Sequence, residues 1–263
     1  MRPSPPPPLA PSVLFVLVSC AAGWGGLPLL VAAEPTAATK PAATAPGPSN
    51  TVALAEVRPG VWQLGGVVVD KTSRTVSFPA ELNLARGPME YLLVTTRGKM
   101  HESILRTTTD PYLIHVGLLL LGATAAGTND PSRDPAFTGP APFISHPAKT
   151  RLPGDPLRIE VSWTAHGTPI HHPAGELVFN QQIGSVLPDD VWVHNGSRVW
   201  RGNYLAQLDG SIISLVTDPD ALINNTGLGH DNDAIWTANT NCLPPSGVPL
   251  RLTLRLSDSP TKP

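Results

Sequence analysis

Leu250, Leu252, Leu254 and Leu256 occupy every second position of one stretch, with Arg251, Thr253 and Arg255 between them. A side-chain period of two is that of an extended strand with one face on a core and the other toward water. In a helix the same leucines would spread around the whole circumference. Leu157, Ile159, Val161 and Trp163 repeat the arrangement, alternating with Arg158, Glu160 and Ser162. Half-buried strands therefore govern what this chain can fold into.

Further strand signals come in pairs. Val67, Val69 and Val76, Phe78 flank the turn-like Asp70-Lys71-Thr72-Ser73-Arg74, which predicts a hairpin. Residues 90–96 and 100–105 flank Arg97-Gly98-Lys99 and predict a second. Residues 200–208 and 211–216 are joined by Asp209-Gly210, a dipeptide suited to a type I′ turn. One helix stands out. Asp110 is a good N-cap, Pro111 suits the first helical position, and residues 112–121 are apolar almost all round apart from His115. A helix without a polar face is a buried helix. The expected fold is mainly β (α+β), with antiparallel strands and hairpins and one buried helix at about 111–122. Gly154-Asp155-Pro156-Leu157-Arg158-Ile159 and Gly247-Val248-Pro249-Leu250-Arg251-Leu252 share a pattern. A duplicated half-domain would produce it, and so would two strands each entered through a Pro-bearing turn.

Residues 1–33 read as an export signal. Arg2 supplies a charge, Val13-Leu14-Phe15-Val16-Leu17-Val18 the apolar run, and Val31-Ala32-Ala33 the small residues before Glu34. Pro28 and the glycines between 23 and 26 break the segment well short of the about 20 apolar residues of a membrane span, so no transmembrane span is expected after processing. Leu17-Val18-Ser19-Cys20 resembles the lipobox of bacterial lipoproteins. The mature chain is thus expected to start near Glu34 or at a lipid anchor on Cys20, and to lie in the periplasm or outside the cell. Either way Cys242 has no cysteine left to pair with. Residues 34–50, rich in Pro, Ala and Thr, form a linker or stalk. Residues 51–258 read as one domain with a Pro-rich excursion at 127–156, and 259–263 as a tail.

Composition narrows the function further. Eighteen Lys+Arg stand against 20 Asp+Glu, a net charge of −2. That is not the concentrated basic surface a nucleic-acid binder needs. Two cysteines cannot ligate an iron–sulfur cluster or complete an all-cysteine zinc site.

Several short motifs, in order, resemble the bacterial YdjY-type domain family. They are Gly87-Pro88-Met89-Glu90-Tyr91-Leu92-Leu93-Val94, Gly98-Lys99-Met100-His101-Glu102-Ser103-Ile104-Leu105, and His115 followed by Leu118-Leu119-Leu120-Leu121-Gly122. Asn203-Tyr204-Leu205-Ala206, Asp209-Gly210, Trp236 and Pro249-Leu250 continue the likeness, which spans most of residues 55–257. The family is often exported and has no established biochemical activity. Some relatives carry ferredoxin-type cysteine motifs beside the domain. Those cysteines are absent here, so the resemblance does not imply electron transfer.

Few residues carry recognisable chemistry. His101-Glu102 begins a zinc-protease motif, but the second histidine it requires is replaced by Leu105. In a strand these neighbours would point to opposite faces, and a hairpin at Arg97–Lys99 would set Glu90 opposite Arg106. His115, on a buried helix, reads either as a hydrogen-bonded core histidine or as a ligand. If His101 and His115 met, then Glu102 or Asp231 could complete a divalent-metal site. Gly227-Leu228-Gly229-His230-Asp231-Asn232-Asp233 reads as a polar loop, lacking the further acidic ligands of an EF-hand. His171-His172 reads as a turn or strand edge. Two functional classes follow. The first is a non-catalytic exported module that binds an envelope protein or component, with no cofactor. The second is a metal-binding protein or metal-dependent enzyme using His101 and His115.

Overall fold

The computed structural model describes residues 52–124 and 152–257. The export segment, the 34–50 linker, most of the 127–156 excursion and the 259–263 tail lie outside the described residues. The chain opens with a meander in which β1 (Leu54–Arg58), β2 (Val61–Leu64), β3 (Val67–Asp70) and β4 (Thr75–Leu82) pair antiparallel in sequence. The strands β5 (Tyr91–Thr95) and β6 (Ser103–Thr107) then lead into helix α1 (Pro111–Leu120). A long hairpin follows, β7 (Asp155–Ala165) with β8 (Thr168–Pro173). Short strands come next: β9 (Val178–Asn180), β10 (Ser185–Val186), β11 (Trp192–His194), β12 (Val199–Trp200) and β13 (Asn203–Tyr204). Helix α2 (Leu205–Asp209) precedes β14 (Ser211–Ser214), β15 (Ile223–Asn225), β16 (Trp236–Ala238) and β17 (Leu250–Leu256).

Eight strands close into a barrel in the order β4, β17, β7, β11, β15, β14, β5, β6. Glu81↔Arg106 and Leu82↔Leu105 pair β6 back to β4 and complete the ring. Closure satisfies backbone groups that an open sheet would leave at its edges. Two strands serve several neighbours. The first residues of β4 bond β3 and its last bond β6, while Asp155–Leu157 of β7 face β11 and Glu160–Ala165 face β8. The alternating pattern of the sequence holds on both long strands. Leu250, Leu252, Leu254 and Leu256 are buried with Arg251 and Arg255 exposed, and Leu157, Ile159, Val161 and Trp163 are buried with Arg158 and Glu160 exposed. The two Pro-bearing motifs thus open strands that lie antiparallel side by side, with Leu256 across from Leu157. Trp192, Trp236, Tyr91, Phe78 and Met89 are the bulkiest of the fully buried side chains among the described residues.

Three sequence expectations are corrected. The hairpin over Val67–Phe78 forms, with Val69 opposite Val76, but the one expected at Arg97–Lys99 does not. There β5 and β6 run parallel, with Tyr91 beside Ser103 and Val94 beside Arg106. A 3-10 turn (Met100–Glu102) returns the chain to its starting level, and the Asn83 side chain clamps it by donating to the carbonyls of Met100 (2.6 Å) and Ser103 (2.8 Å). Arg106 consequently pairs with Glu81 at 2.8 Å rather than with Glu90. Second, Asp209-Gly210 is not a hairpin turn. It closes α2, and Gly210 takes the left-handed conformation (φ 71°) that commonly stops a helix. A side chain at Gly98 would strike the Gly210 carbonyl at 2.9 Å, so these two glycine-bearing turns pack backbone on backbone, a contact that no local pattern announces. Third, α1 is buried on one side only. Ile114, His115, Gly117 and Leu118 face inward while Tyr112 is 53% and Leu119 41% exposed. The helix packs across the sheet over β3 and β4, with Gly117 flush against Val69 and Val76.

Candidate functional site

The start of α1 places its chemistry. Asp110 stands at the N-cap with Pro111 behind it, as the sequence predicts, but its carboxylate does not cap the helix. It accepts instead from the Gln207 side-chain amide of α2 (2.8 Å) and from Arg97 (3.4 Å). Gln207 returns a carbonyl oxygen to the Tyr112 backbone N–H at 3.2 Å, so the two helices are tied at their ends. One turn into α1, His115 points into the barrel wall.

There it meets a partner the sequence did not advertise. His115 Nδ1 lies 3.0 Å from Nε2 of His194, the fully buried last residue of β11. His194 Nδ1 has no hydrogen-bond partner among the described residues and lies 3.8 Å from the Asp155 carboxylate. A carboxylate on that side favours a proton on His194 Nδ1, which leaves Nε2 to accept from the Nδ1–H of His115. Asp155 is itself held by the backbone N–H (2.8 Å) and hydroxyl (3.0 Å) of Thr124. The Tyr204 ring stacks on His115 at 5.4 Å, and Tyr112 meets Tyr204 edge to face at 5.9 Å. Burial, aided by His194, pushes His115 down to about 4, so it is a neutral imidazole at ordinary pH. Burial also raises the Tyr204 phenol. Among the described residues each imidazole is hydrogen-bonded to the other and to no hydroxyl or thiol.

Above this stack lies a groove of about 850 Å³ between α1 and α2. Leu64, Leu113, Val116 and Leu208 supply its apolar surface, Tyr112 and Tyr204 its aromatic wall, and Arg97, Asp110, Asn203 and Gln207 its polar rim. The volume lies within the usual range of small-ligand sites, which combine apolar walls with a few convergent polar groups.

The other expected site residues fall elsewhere. His101 and Glu102 share the 3-10 turn between β5 and β6, where their side chains come within 3.5 Å because the turn suspends strand alternation. The His101 side chain is 79% exposed. Lys99 reaches Glu102 (3.8 Å) and donates to the Tyr91 hydroxyl (2.8 Å), which donates to Asp218 (2.9 Å). Burial and the Glu102 charge hold Glu90, beside this cluster, above the usual carboxylate range. Asp231 is exposed on the 227–233 loop, in which His230 is fastened to the Thr217 hydroxyl at 2.8 Å. Among the described residues, no three-ligand group includes His101, Glu102, His115 or Asp231. The group that does form is His172, Glu176 and Cys242. His194 had one sequence signal: it stands two residues after Trp192, so in a strand the two share a face, and a buried tryptophan implies a buried histidine.

An eight-stranded mixed barrel flanked by a helix that delivers one imidazole to another is the class of domain defined here. The sequence model of the YdjY domain matches residues 67–255, and the chain belongs to that family. No curated protein and no solved structure matches it. Among the described residues, no helix is long and apolar enough to cross a membrane.

Proposed function

We propose that this chain is a non-catalytic, exported binding module of the cell envelope, and that it holds a saccharide segment of an envelope component in the groove between α1 and α2. The observation that carries this reading is the half-exposed Tyr112 ring on a groove rimmed by a guanidinium, a carboxylate and two carboxamides. A sugar ring offers an apolar face for an aromatic wall and vicinal hydroxyls for planar donor–acceptor groups. His115 and His194, the imidazoles beside the groove, are buried against Tyr204 and engaged with each other. Export rests on the signal-like first 33 residues. Intact-mass measurement of native protein should give a chain beginning at Glu34 or at an acylated Cys20, and a mass that still includes residues 1–33 would refute it.

Binding is tested by titrating soluble cell-wall glycan fragments into the domain while following amide NMR shifts. Shifts should gather on residues 110–116 and 202–208, and Tyr112→Ala or Gln207→Ala should each weaken affinity by about tenfold, about 1.4 kcal/mol. Affinity unchanged in both variants, or shifts confined to other surfaces, would overturn the assignment.

A further inference from the structure

We propose that His172, Glu176 and Cys242 bind a zinc ion. Their donor atoms, one from each side chain, all lie within 4.8 Å of one another, and all three residues are half-buried. The residues come from separate pieces of chain: the edge strand β8, the 3-10 turn Ala174–Leu177 that follows it, and a turn beyond β16. This site shares no residue with the α1–α2 groove and stands independently of the binding function proposed there.

The surroundings hold the three donors in convergence. His172 Nδ1 lies 2.7 Å from Glu176 Oε2, and Trp163 stacks on the imidazole at 5.2 Å with the planes 18° apart, which fixes the ring. Gly175 packs its Cα against the Leu187 carbonyl, leaving no space for a side chain and pinning the turn that carries Glu176. Asn239 then joins the third ligand to the first two. Its backbone N–H donates to the Leu177 carbonyl (2.9 Å), its side-chain amide to the Glu176 carbonyl (2.8 Å) and to Cys242 Sγ (3.4 Å). The Cys242 N–H closes the turn onto the Asn239 carbonyl at 3.0 Å. One asparagine thus orients two ligands, as outer-shell residues of metal sites do.

The donor set selects the metal. Zinc accepts thiolate sulfur at about 2.3 Å and imidazole nitrogen or carboxylate oxygen at about 2.0–2.2 Å, which separates tetrahedral ligand atoms by roughly 3.3–3.8 Å. Modest side-chain rotation converts the present spacing into that one. A thiolate disfavours calcium and magnesium, and a carboxylate disfavours copper(I). Three protein ligands leave a fourth position for water. Binding requires the Cys242 thiolate, so uptake of zinc releases its proton to solvent and weakens as the pH falls.

Cobalt(II) is the probe, because thiolate-bound cobalt shows a near-ultraviolet charge-transfer band and zinc does not. Titrating cobalt chloride into the full chain should produce this band, saturating at about one equivalent, and zinc should abolish it. Cys242→Ser should remove the band although Cys20 remains. His172→Gln and Glu176→Gln should weaken cobalt binding by at least about tenfold, and Asn239→Ala by about tenfold. Metal-free thermal melts of each variant separate loss of ligation from loss of fold, the half-buried ligands being expected to leave Tm nearly unchanged. A chain that gives no thiolate band, or a band that survives Cys242→Ser or is indifferent to both His172→Gln and Glu176→Gln in folded protein, would overturn the assignment.

Discussion

Acidification should weaken the fold through His115, and the size of the effect follows from where that ring lies. In the unfolded chain it protonates near 6.5, and in the folded barrel burial and His194 hold it at about 4. Between those values the unfolded state binds more protons, so stability is full above about pH 6.5 and falls as the pH drops toward about 4. Each unit of difference is about 1.4 kcal/mol, so the loss approaches about 3 kcal/mol below the lower value and reaches about 2 kcal/mol at about pH 5. That is a large fraction of a typical 5–15 kcal/mol stability. Carboxylates also titrate in this range, so the assay must be differential. Urea unfolding of wild type and His115→Gln, at about pH 7.5 and about pH 5, isolates the histidine. The glutamine amide can still donate to His194 Nε2 but does not titrate. The wild type should lose about 2 kcal/mol more than the variant between the two conditions. Equal losses would refute the reasoning and show that the His115 ring accepts a proton without leaving its site. At neutral pH, His115→Ala should cost about 1–3 kcal/mol from the broken hydrogen bond and lost packing. Adding a chelator should leave that cost unchanged, and a cost confined to metal-loaded protein would make His115 a ligand.

Three further outcomes are expected. On α1, Leu118→Ala should destabilise the domain by about 2–5 kcal/mol, as Leu118 is fully buried, whereas the exposed Leu119→Ala should stay within about 1 kcal/mol; equal costs in chemical denaturation would show that the outer face of α1 is covered. Gly154→Ala would place a methyl 2.6 Å from the His194 carbonyl, so it should cost about 1–3 kcal/mol and shift the His194 ring resonances, and an unperturbed NMR spectrum would contradict the close approach. The Glu81–Arg106 pair closes the barrel at 2.8 Å but is 43% and 35% exposed, so a double-mutant cycle should give no more than about 1 kcal/mol; a larger coupling would mean that this seam is drier than its exposure implies.

Local sequence carried the elements whose physics is local. The leucines of β17 and the apolar row of β7 are legible because alternation is a property of one strand and one dry face. Asp110-Pro111 marks the start of α1 for the same reason, since a missing N–H and a fixed φ act within a single turn. Even the polar pairing was half legible: Arg106 does have a cross-strand glutamate, but it is Glu81 of β4. Period two says which face of a strand is buried and nothing about which way the next strand runs. A three-residue 3-10 turn clamped by Asn83 was therefore enough to make β6 parallel to β5. Asp209-Gly210 misled in the same way, because a left-handed glycine serves a helix end as well as a hairpin. The half-exposure of α1 depends on its lying over Val69 and Val76, residues remote in sequence. The sites required still more. His115 and His194 stand 79 positions apart, and Cys242 reaches His172 and Glu176, themselves four residues apart, only through the Asn239 turn beyond β16. Side-chain chemistry and strand faces were determined by the sequence read alone. Which side chains meet was decided by tertiary packing, because only that brings distant segments within hydrogen-bonding distance.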